Sequence, residues 1–286
     1  MKKISRRSFM AAAAVSVAAL AMTACGGSSA STASSVASSA ASSVASSAAS
    51  SEAVSSAAAA ELTTVEAGKL TMATNAAFPP YEMTTDACEF EGIDVDTAKA
   101  IAEKLGLELQ IDDMDFDAAL LSVQQGKADI VMAGVTVTDE RKAVMDFSDS
   151  YATGIQSIIV PNDSDIASPD DLAGKKIGTQ RGTTGYIYCS DDFGDENVVA
   201  YDDGLTAVQA LNNGQVDAVV IDNAPAQEFV AANPGLKVLD TSYAEEDYAI
   251  GMAKGSALED AVNKALEELK ADGTLQAIVD KYINAN

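Results

Sequence analysis

The sequence contains no histidine and no tryptophan, and cysteine occurs only at positions 25, 88 and 189. Histidine is the usual general base and the commonest protein ligand of metal ions, so its absence disfavours enzymes and metal sites that depend on it. The spacing of Cys25, Cys88 and Cys189 does not fit a metal site either. Basic residues are scarce, since 18 Lys and Arg stand against 43 Asp and Glu. The resulting net charge of −25 repels nucleic acid and anionic lipid, so neither is expected as a partner.

A long hydrophobic run is also missing, because the apolar segment from Phe9 to Met22 is too short to span a membrane comfortably. Four basic residues precede it, so residues 1–24 are predicted to be an export signal. The segment from Leu20 to Cys25 resembles a lipobox, which predicts a lipid on Cys25; a plain thiol after a secretory signal is the alternative. Ser5 to Met10 also resembles a twin-arginine signal, so the export route stays open. Removal of the signal would make the net charge −29.

Residues 25–60 are almost entirely Ser, Ala and Val, and Glu52 is their only charge. Such a tract offers too little apolar surface to offset the entropy of ordering, so we expect a flexible tether. As a coil it would reach roughly a few tens of ångströms. Transient helix in the Ala-rich patches is the alternative. The remaining residues, 61–286, suffice for one large domain or two lobes.

Strand and helix signals alternate from residue 70 onwards, which predicts an α/β fold. We expect strands at 70–74, 107–111, 129–133, 155–160, 176–180, 197–201 and 248–253. We expect helices at 95–105, 117–125, 206–212 and 257–283, the last with a break near Gly273. The segment Gly214–Asp222 closely echoes Gly126–Met132, because in both a Gly ends a helix and an Asp begins a buried strand. This repeat predicts two similarly built lobes.

The segment after the strand at 129–133 carries residues suited to binding a ligand. Thr138 is a good N-cap, so the short helix that follows directs Arg141 back towards the end of the strand. Gly134, Thr136 and Arg141 thus gather where open α/β sheets bind ligands. A guanidinium group suits a carboxylate better than any other side chain. The alternative is an ion pair on a solvated face with Asp139, Glu140 or Asp146.

The segments GKADIVMAGVTVTDER (126–141) and DFSDSY (146–151) resemble those of bacterial extracellular solute-binding proteins for polar amino acids. The similarity extends through most of residues 66–286. It implies the α/β type II periplasmic-binding fold, in which two lobes, each a sheet flanked by helices, enclose a ligand cleft. Residues 61–158 and 249–286 would form lobe one, and residues 159–248 lobe two. Export, a lipid anchor on the outer face of the cytoplasmic membrane and a monomeric state would follow.

The resemblance also implies a function without a cofactor, in which a free amino acid is bound and delivered to an ABC importer. The zwitterion needs donors for its carboxylate, expected from Arg141, Thr136 and the Gly134 backbone, and from the N-terminus of a lobe-two helix. Asp222 is the expected ammonium acceptor; a solvated loop residue is the alternative. The expected ligand-binding residues are Asn75, Phe78, Tyr81, Phe116, Ala133, Gly134, Thr136, Arg141, Gln180, Thr183, Thr184 and Asp222. Core packing is the alternative for the aromatic residues, and is strongest for Tyr81.

Two positions depart from the pattern of better-known relatives. Asn75 stands where many amino-acid binders carry Asp, and Gln180 where Lys or an apolar residue is common. These departures favour a ligand with an uncharged polar side chain, or cystine, although Glu82 could replace the missing charge. The other functions considered are a dehydratase or lyase on the same fold and a sensor or adhesive protein. A disulfide between Cys88 and Cys189, one in each lobe, is open at this point, with two free thiols as the alternative.

Overall fold

The computed structural model describes residues 62–283. The predicted signal peptide (1–24), the lipidation residue Cys25 and the predicted tether (25–60) lie outside this range, as do residues 284–286. No helix within residues 62–283 is long and apolar enough to cross a membrane.

The described chain begins with a strand and a small three-stranded sheet, followed by three helices and three further strands. The elements are β1 (Lys69–Thr74), β2 (Ala77–Phe78), β3 (Glu82–Thr84), β4 (Phe90–Glu91), α1 (Ile93–Leu105), β5 (Glu108–Asp113), α2 (Phe116–Gln124), β6 (Ile130–Val131), α3 (Asp139–Lys142) and β7 (Met145–Phe147). Helix α1 buries Ala98, Ile101 and Ala102 on one face, as their spacing predicts. It ends at Gly106, whose φ of 70° is left-handed and therefore suits glycine.

A second set of elements follows. It comprises β8 (Ala152–Pro161), β9 (Ile177–Gln180), α4 (Thr184–Phe193), β10 (Val198–Tyr201), α5 (Gly204–Asn212), β11 (Ala218–Asp222), α6 (Asn223–Ala232), β12 (Leu236–Val238) and β13 (Ala244–Tyr248). The described chain then closes with β14 (Gly251–Ala253), α7 (Glu259–Ala271) and α8 (Thr274–Tyr282). Gly273, with φ of 81°, separates the last two helices, so the predicted break is confirmed.

Two main sheets organise these elements. The first has the order β5-β1-β6-β14-β7, with β1 parallel to both of its neighbours and β14 antiparallel to both of its own. The second has the order β10-β9-β11-β8-β12, and β13 also pairs with β8. Each sheet packs against helices over hydrophobic cores of its own. The mixed α/β architecture therefore forms two lobes.

The chain passes between the lobes twice. Strand β8 pairs with the second sheet from Ala152 onwards, so the predicted lobe boundary after residue 158 falls inside this strand. The predicted return at residue 249 falls between β13, in the second sheet, and β14, in the first. The predicted single strand at 248–253 is therefore wrong, because its two ends pair in different sheets. The strand predicted at 129–133 is also shorter than expected, since only Ile130–Val131 pair as β6.

Candidate functional site

A cavity lies between the two lobes, and the space between its walls, counted together with its opening to solvent, is about 440 Å³. Its walls come from the ends of β1, β9 and β11 and from the first residues of α2 and α4. All the residues expected to bind the ligand line this cavity, with the exception of Tyr81. The lining residues are Asn75, Phe78, Glu82, Phe116, Ala133, Gly134, Thr136, Arg141, Gln156, Gln180, Thr183, Thr184, Val220, Ile221, Asp222 and Tyr248.

Arg141 is buried in the cavity wall, with 9% of its surface exposed. The Thr138 hydroxyl caps α3 by accepting a hydrogen bond from the Arg141 backbone N–H at 3.2 Å, as predicted. The guanidinium donates to the backbone oxygen of Thr136 at 2.8 Å and, across the cleft, to that of Gly182 at 3.2 Å. Within residues 62–283 it forms no ion pair with a carboxylate. The alternative of a surface ion pair therefore does not describe this arginine.

Thr136, whose backbone oxygen accepts from this arginine, is also buried. Its Oγ1 donates to Glu246 Oε2 at 3.0 Å and lies 3.4 Å from Thr184 Oγ1 of the second lobe. Glu246 also accepts a hydrogen bond from Gln156 Nε2 at 2.9 Å. Burial lowers the pKa of Arg141, and the negative charge of Glu246 opposes that effect. Glu246 therefore helps to keep the arginine charged.

One of the expected donors is not free to bind a ligand. The Gly134 backbone N–H donates to Asp94 Oδ2 at 3.0 Å, so it serves to hold α1 against the strand end. Gly134 has φ of 54°, and a Cβ at this position would lie 2.9 Å from the Phe78 ring. The expectation that the Gly134 N–H donates to the ligand is therefore corrected. Glycine is needed here for its backbone conformation and for close contact with the aromatic wall.

The start of α4 provides the expected donors of the second lobe. The Thr183 hydroxyl caps this helix by accepting a hydrogen bond from the Tyr186 N–H at 3.3 Å. Thr184, the first helical residue, is buried and faces the cavity. The positive end of the helix dipole therefore points into the cleft, where it favours an anionic group.

Asp222 ends β11 and is 2% exposed, so it is not a solvated loop residue. Its Oδ2 accepts from the Ile155 N–H at 2.8 Å, and its Oδ1 accepts from the Ala224 N–H at 3.0 Å. Burial raises the pKa of this carboxyl to about 6, although the two N–H groups partly offset the effect. No cationic side chain within residues 62–283 pairs with it. The cavity therefore contains a buried acceptor that can still take a cation.

Two amide side chains join the lobes at another part of the cavity. Gln180 Nε2, at the end of β9, donates to Asn75 Oδ1, after the end of β1, at 2.8 Å. The same nitrogen donates to the backbone oxygen of Asp202 at 3.3 Å, and Asn75 Nδ2 donates to that of Met114 at 2.9 Å. These contacts, with the one from Arg141 to Gly182, show that the lobes are closed on each other.

The three candidate aromatic residues occupy different places. Phe78 and Phe116 line the cavity, and the Arg141 guanidinium lies 5.4 Å from the Phe116 ring centre. Tyr81 is only 3% exposed and stacks behind Phe78 at 5.7 Å, with Tyr248 at 5.5 Å on its edge. It lies in the core of the first lobe and lines a neighbouring groove instead of the cavity. The core-packing alternative therefore describes Tyr81.

Four cavity residues were not expected from the sequence: Gln156, Val220, Ile221 and Tyr248. Glu82, considered only as a possible replacement for the missing charge, also lines the cavity. Gln156 had a local signal, since it is the largest polar residue in the mostly apolar strand β8. Val220 and Ile221 directly precede Asp222 and could have been included with it. Glu82 is fully buried, and neither of its carboxyl oxygens accepts a hydrogen bond.

Cys88 and Cys189 are not among the residues that line the cavity. Cys88 is exposed and Cys189 is buried, and both are free thiols, so the possible bridge is not formed in this structure. Burial raises the pKa of the Cys189 thiol to about 12, which makes it unreactive. The described part of the chain contains no cluster of three or more Cys, Asp or Glu residues arranged to hold a metal ion.

Comparison with known proteins connects this geometry to a family. The L-cystine-binding protein TcyJ of Escherichia coli is 33% identical over 225 residues, covering 77% of this chain and 85% of TcyJ. An ancestral arginine-binding protein, solved with glutamine and with arginine, has a TM-score of 0.72 and 42% identity, covering 76% of this chain and 98–99% of its own.

The arginine-bound substrate-binding protein AbpA of an amino acid ABC transporter from Streptococcus pneumoniae has a TM-score of 0.71 and 37% identity. The match covers 75% of this chain and 94% of AbpA. The family model for bacterial extracellular solute-binding proteins, family 3, matches residues 70–285. This chain therefore belongs to family 3 of the bacterial extracellular solute-binding proteins.

Proposed function

We propose that this protein binds a free amino acid in the cavity between its lobes and delivers it to an ABC importer. The observation that carries the proposal is the pairing, in one closed cavity, of a buried guanidinium and a buried carboxyl that lack ionic partners within residues 62–283. Arg141 binds the α-carboxylate and Asp222 binds the α-ammonium. Each buried charge thus gains the partner that makes its burial favourable.

Binding proceeds by closure of the two lobes. The ligand first meets the first lobe through Arg141, whose guanidinium already bonds to the backbone at Thr136. The second lobe then brings Thr183, Thr184 and Asp222 against it. Because the ligand binds the closed form better, it shifts the equilibrium from the open to the closed form, which an importer can distinguish.

Family membership makes the chain an exported solute-binding protein and not an enzyme. The dehydratase and lyase alternatives are therefore set aside. The ligands named for its relatives include cystine, arginine and glutamine. For this chain the α-carboxylate and α-ammonium contacts do not distinguish among them, so the cavity wall near the ligand side chain must do so. The amides of Asn75 and Gln180 at that wall suit a polar side chain.

A thermal-shift screen over the common amino acids, with cystine, ornithine and citrulline added, tests the proposal. A ligand at about one hundred times its dissociation constant should stabilise the fold by roughly 2.7 kcal/mol, which is readily detected. Arg141→Ala, provided that it folds, should remove the shift. Absence of a shift with every amino acid on the folded wild-type protein would refute amino-acid binding.

The attachment to the membrane is a further part of the proposal. Cys25 follows the lipobox-like segment and begins the Ser/Ala-rich tract, so a lipid on this residue would tether a monomeric binding protein near its importer. Cell fractionation of Cys25→Ala should find the protein released from the membrane, whereas Cys88→Ala should leave it attached. Unchanged membrane retention of Cys25→Ala, with an unmodified N-terminus in the wild type, would contradict the lipid anchor.

A further inference from the structure

Glu82 differs from Asp222, the other acidic residue among those that line the cavity. Its carboxyl is completely buried, and neither oxygen accepts a hydrogen bond from a protein donor. Asp222, in contrast, accepts two backbone N–H bonds. An ionised carboxylate with no donor and no cation beside it is very costly to bury. Glu82 therefore cannot stand as a bare anion in the closed, ligand-free cavity.

After burial itself, the neighbouring group that does most to raise the pKa of Glu82 is the carboxyl of Asp94 in α1. Asp94 already accepts from the Gly134 N–H at 3.0 Å and from the Tyr151 hydroxyl at 2.7 Å, which stabilises its ionised form. Two carboxylates buried close together repel each other, so one of the pair favours a proton. Because Asp94 accepts from two donors and Glu82 from none, Asp94 is the better stabilised anion and the proton belongs on Glu82.

None of the ionisable groups that act on Glu82 favours its ionisation. They are acids or phenols: Asp94 of α1, Asp113 at the end of β5, Asp222 of β11, and the hydroxyls of Tyr81 and Tyr151. Burial and these neighbouring acids hold the pKa of Glu82 well above its ordinary value. Within the described chain, no basic side chain forms an ion pair with Glu82.

We propose that Glu82 holds a proton in the ligand-free cleft and that an amino acid with a cationic side chain binds by displacing it. The exchange conserves charge, because one positive group enters the cavity as one proton leaves to the solvent before the lobes close. A ligand with a neutral amide or ureido side chain binds with the proton in place. This inference rests on the proposed amino-acid binding and identifies Glu82 as the residue that distinguishes a cationic ligand side chain from a neutral one.

The test compares arginine with citrulline, in which a neutral ureido group replaces the guanidinium. Calorimetry at about pH 8, in two buffers of different ionisation enthalpy, counts the protons released on binding. At this pH Asp222, with pKa about 6, is already ionised and contributes little. We expect close to one proton per arginine and none per citrulline. Glu82→Gln should release no proton with either ligand, and should bind arginine at least about tenfold more weakly while citrulline affinity changes little.

Glu89→Gln is the matched control, because Glu89 is an exposed acid in the turn between β3 and β4 and should leave all these values unchanged. If Glu82→Gln does not fold, the wild type alone decides, since its preference for arginine over citrulline should rise with pH by up to about tenfold per unit. Arginine binding without proton release, unchanged release in Glu82→Gln, or binding of citrulline but not arginine would overturn the inference. Failure of every amino acid to bind would instead refute the proposed function.

Discussion

Affinity for an amino acid with a neutral side chain, such as glutamine, is expected to fall when the pH is lowered from about 7 to about 5. The reason is Asp222, whose carboxyl is buried and has a pKa of about 6 in the ligand-free cavity. The ligand ammonium stabilises only the ionised carboxylate. Below the pKa a proton must therefore leave before the ligand binds, which costs affinity. The direction is thus weaker binding at lower pH.

The size of the effect follows from the fraction of Asp222 that is ionised. With a pKa of about 6, that fraction is about nine-tenths at pH 7 and about one-tenth at pH 5, so affinity should fall roughly tenfold, or about 1.4 kcal/mol. Titration calorimetry of glutamine at several pH values measures it. The corresponding 2-hydroxy acid lacks the ammonium and should not show the fall.

The variant Asp222→Asn tests whether Asp222 itself causes the pH dependence of affinity. It should weaken glutamine by roughly 2 kcal/mol or more at about pH 7 and remove most of the pH dependence. A residual slope in this variant belongs to Asp94, whose pKa burial also raises to about 6. A pH-independent affinity in the folded wild type, or equal losses of glutamine and its 2-hydroxy analogue in Asp222→Asn, would refute the ammonium contact.

The remaining predictions concern the carboxylate site and the contact between the lobes. Arg141→Ala should weaken the binding of every amino acid by several kcal/mol. Arg181→Ala is the control, because Arg181 is exposed and paired with an aspartate, and it should change affinity little. Near-unchanged calorimetric affinity in folded Arg141→Ala would exclude the assigned role. Asn75→Ala and Gln180→Ala should each open the ligand-free protein, by about 1 kcal/mol for the lost hydrogen bond, and increase its radius of gyration in X-ray scattering. The double variant should open it little further, because both substitutions remove the same bond; additive effects would contradict this coupling.

The parts of the site that the sequence predicts depend on local signals. Thr138 caps a short helix that begins a few residues after β6, and this local pattern is enough to direct Arg141 into the cleft. Asp222 ends an apolar strand and begins a helix, so its position at the sheet edge is also a local matter. Alternation of strands and helices likewise predicts the α/β class, and the family match and structural neighbours confirm the two-lobed fold.

The parts that the sequence does not predict depend on contacts between distant segments. The apolar residues of β8 would suit a buried strand in either sheet. Its pairing with β11 and β13 is what places this strand, from Ala152 onwards, in the second lobe. The Gly134 N–H is taken by Asp94, which lies forty residues earlier in the chain. Near Glu82 the turn at Pro79 and Pro80 interrupts strand periodicity, so the sequence does not tell which side chain faces the cavity.

The charge balance of the cavity sets the class of ligand that it can hold. A zwitterion brings one charge of each sign to the cavity that holds Arg141 and Asp222, so a neutral side chain enters without any change of protonation. A cationic side chain can enter when Glu82 gives up its proton. An anionic side chain would place another carboxylate near Glu82 and Asp94, whose pKa values are already raised. No cationic side chain within residues 62–283 forms an ion pair with either of these acids. Glutamate and aspartate should therefore bind much more weakly than glutamine and asparagine, because only protonation of the ligand itself could relieve that repulsion.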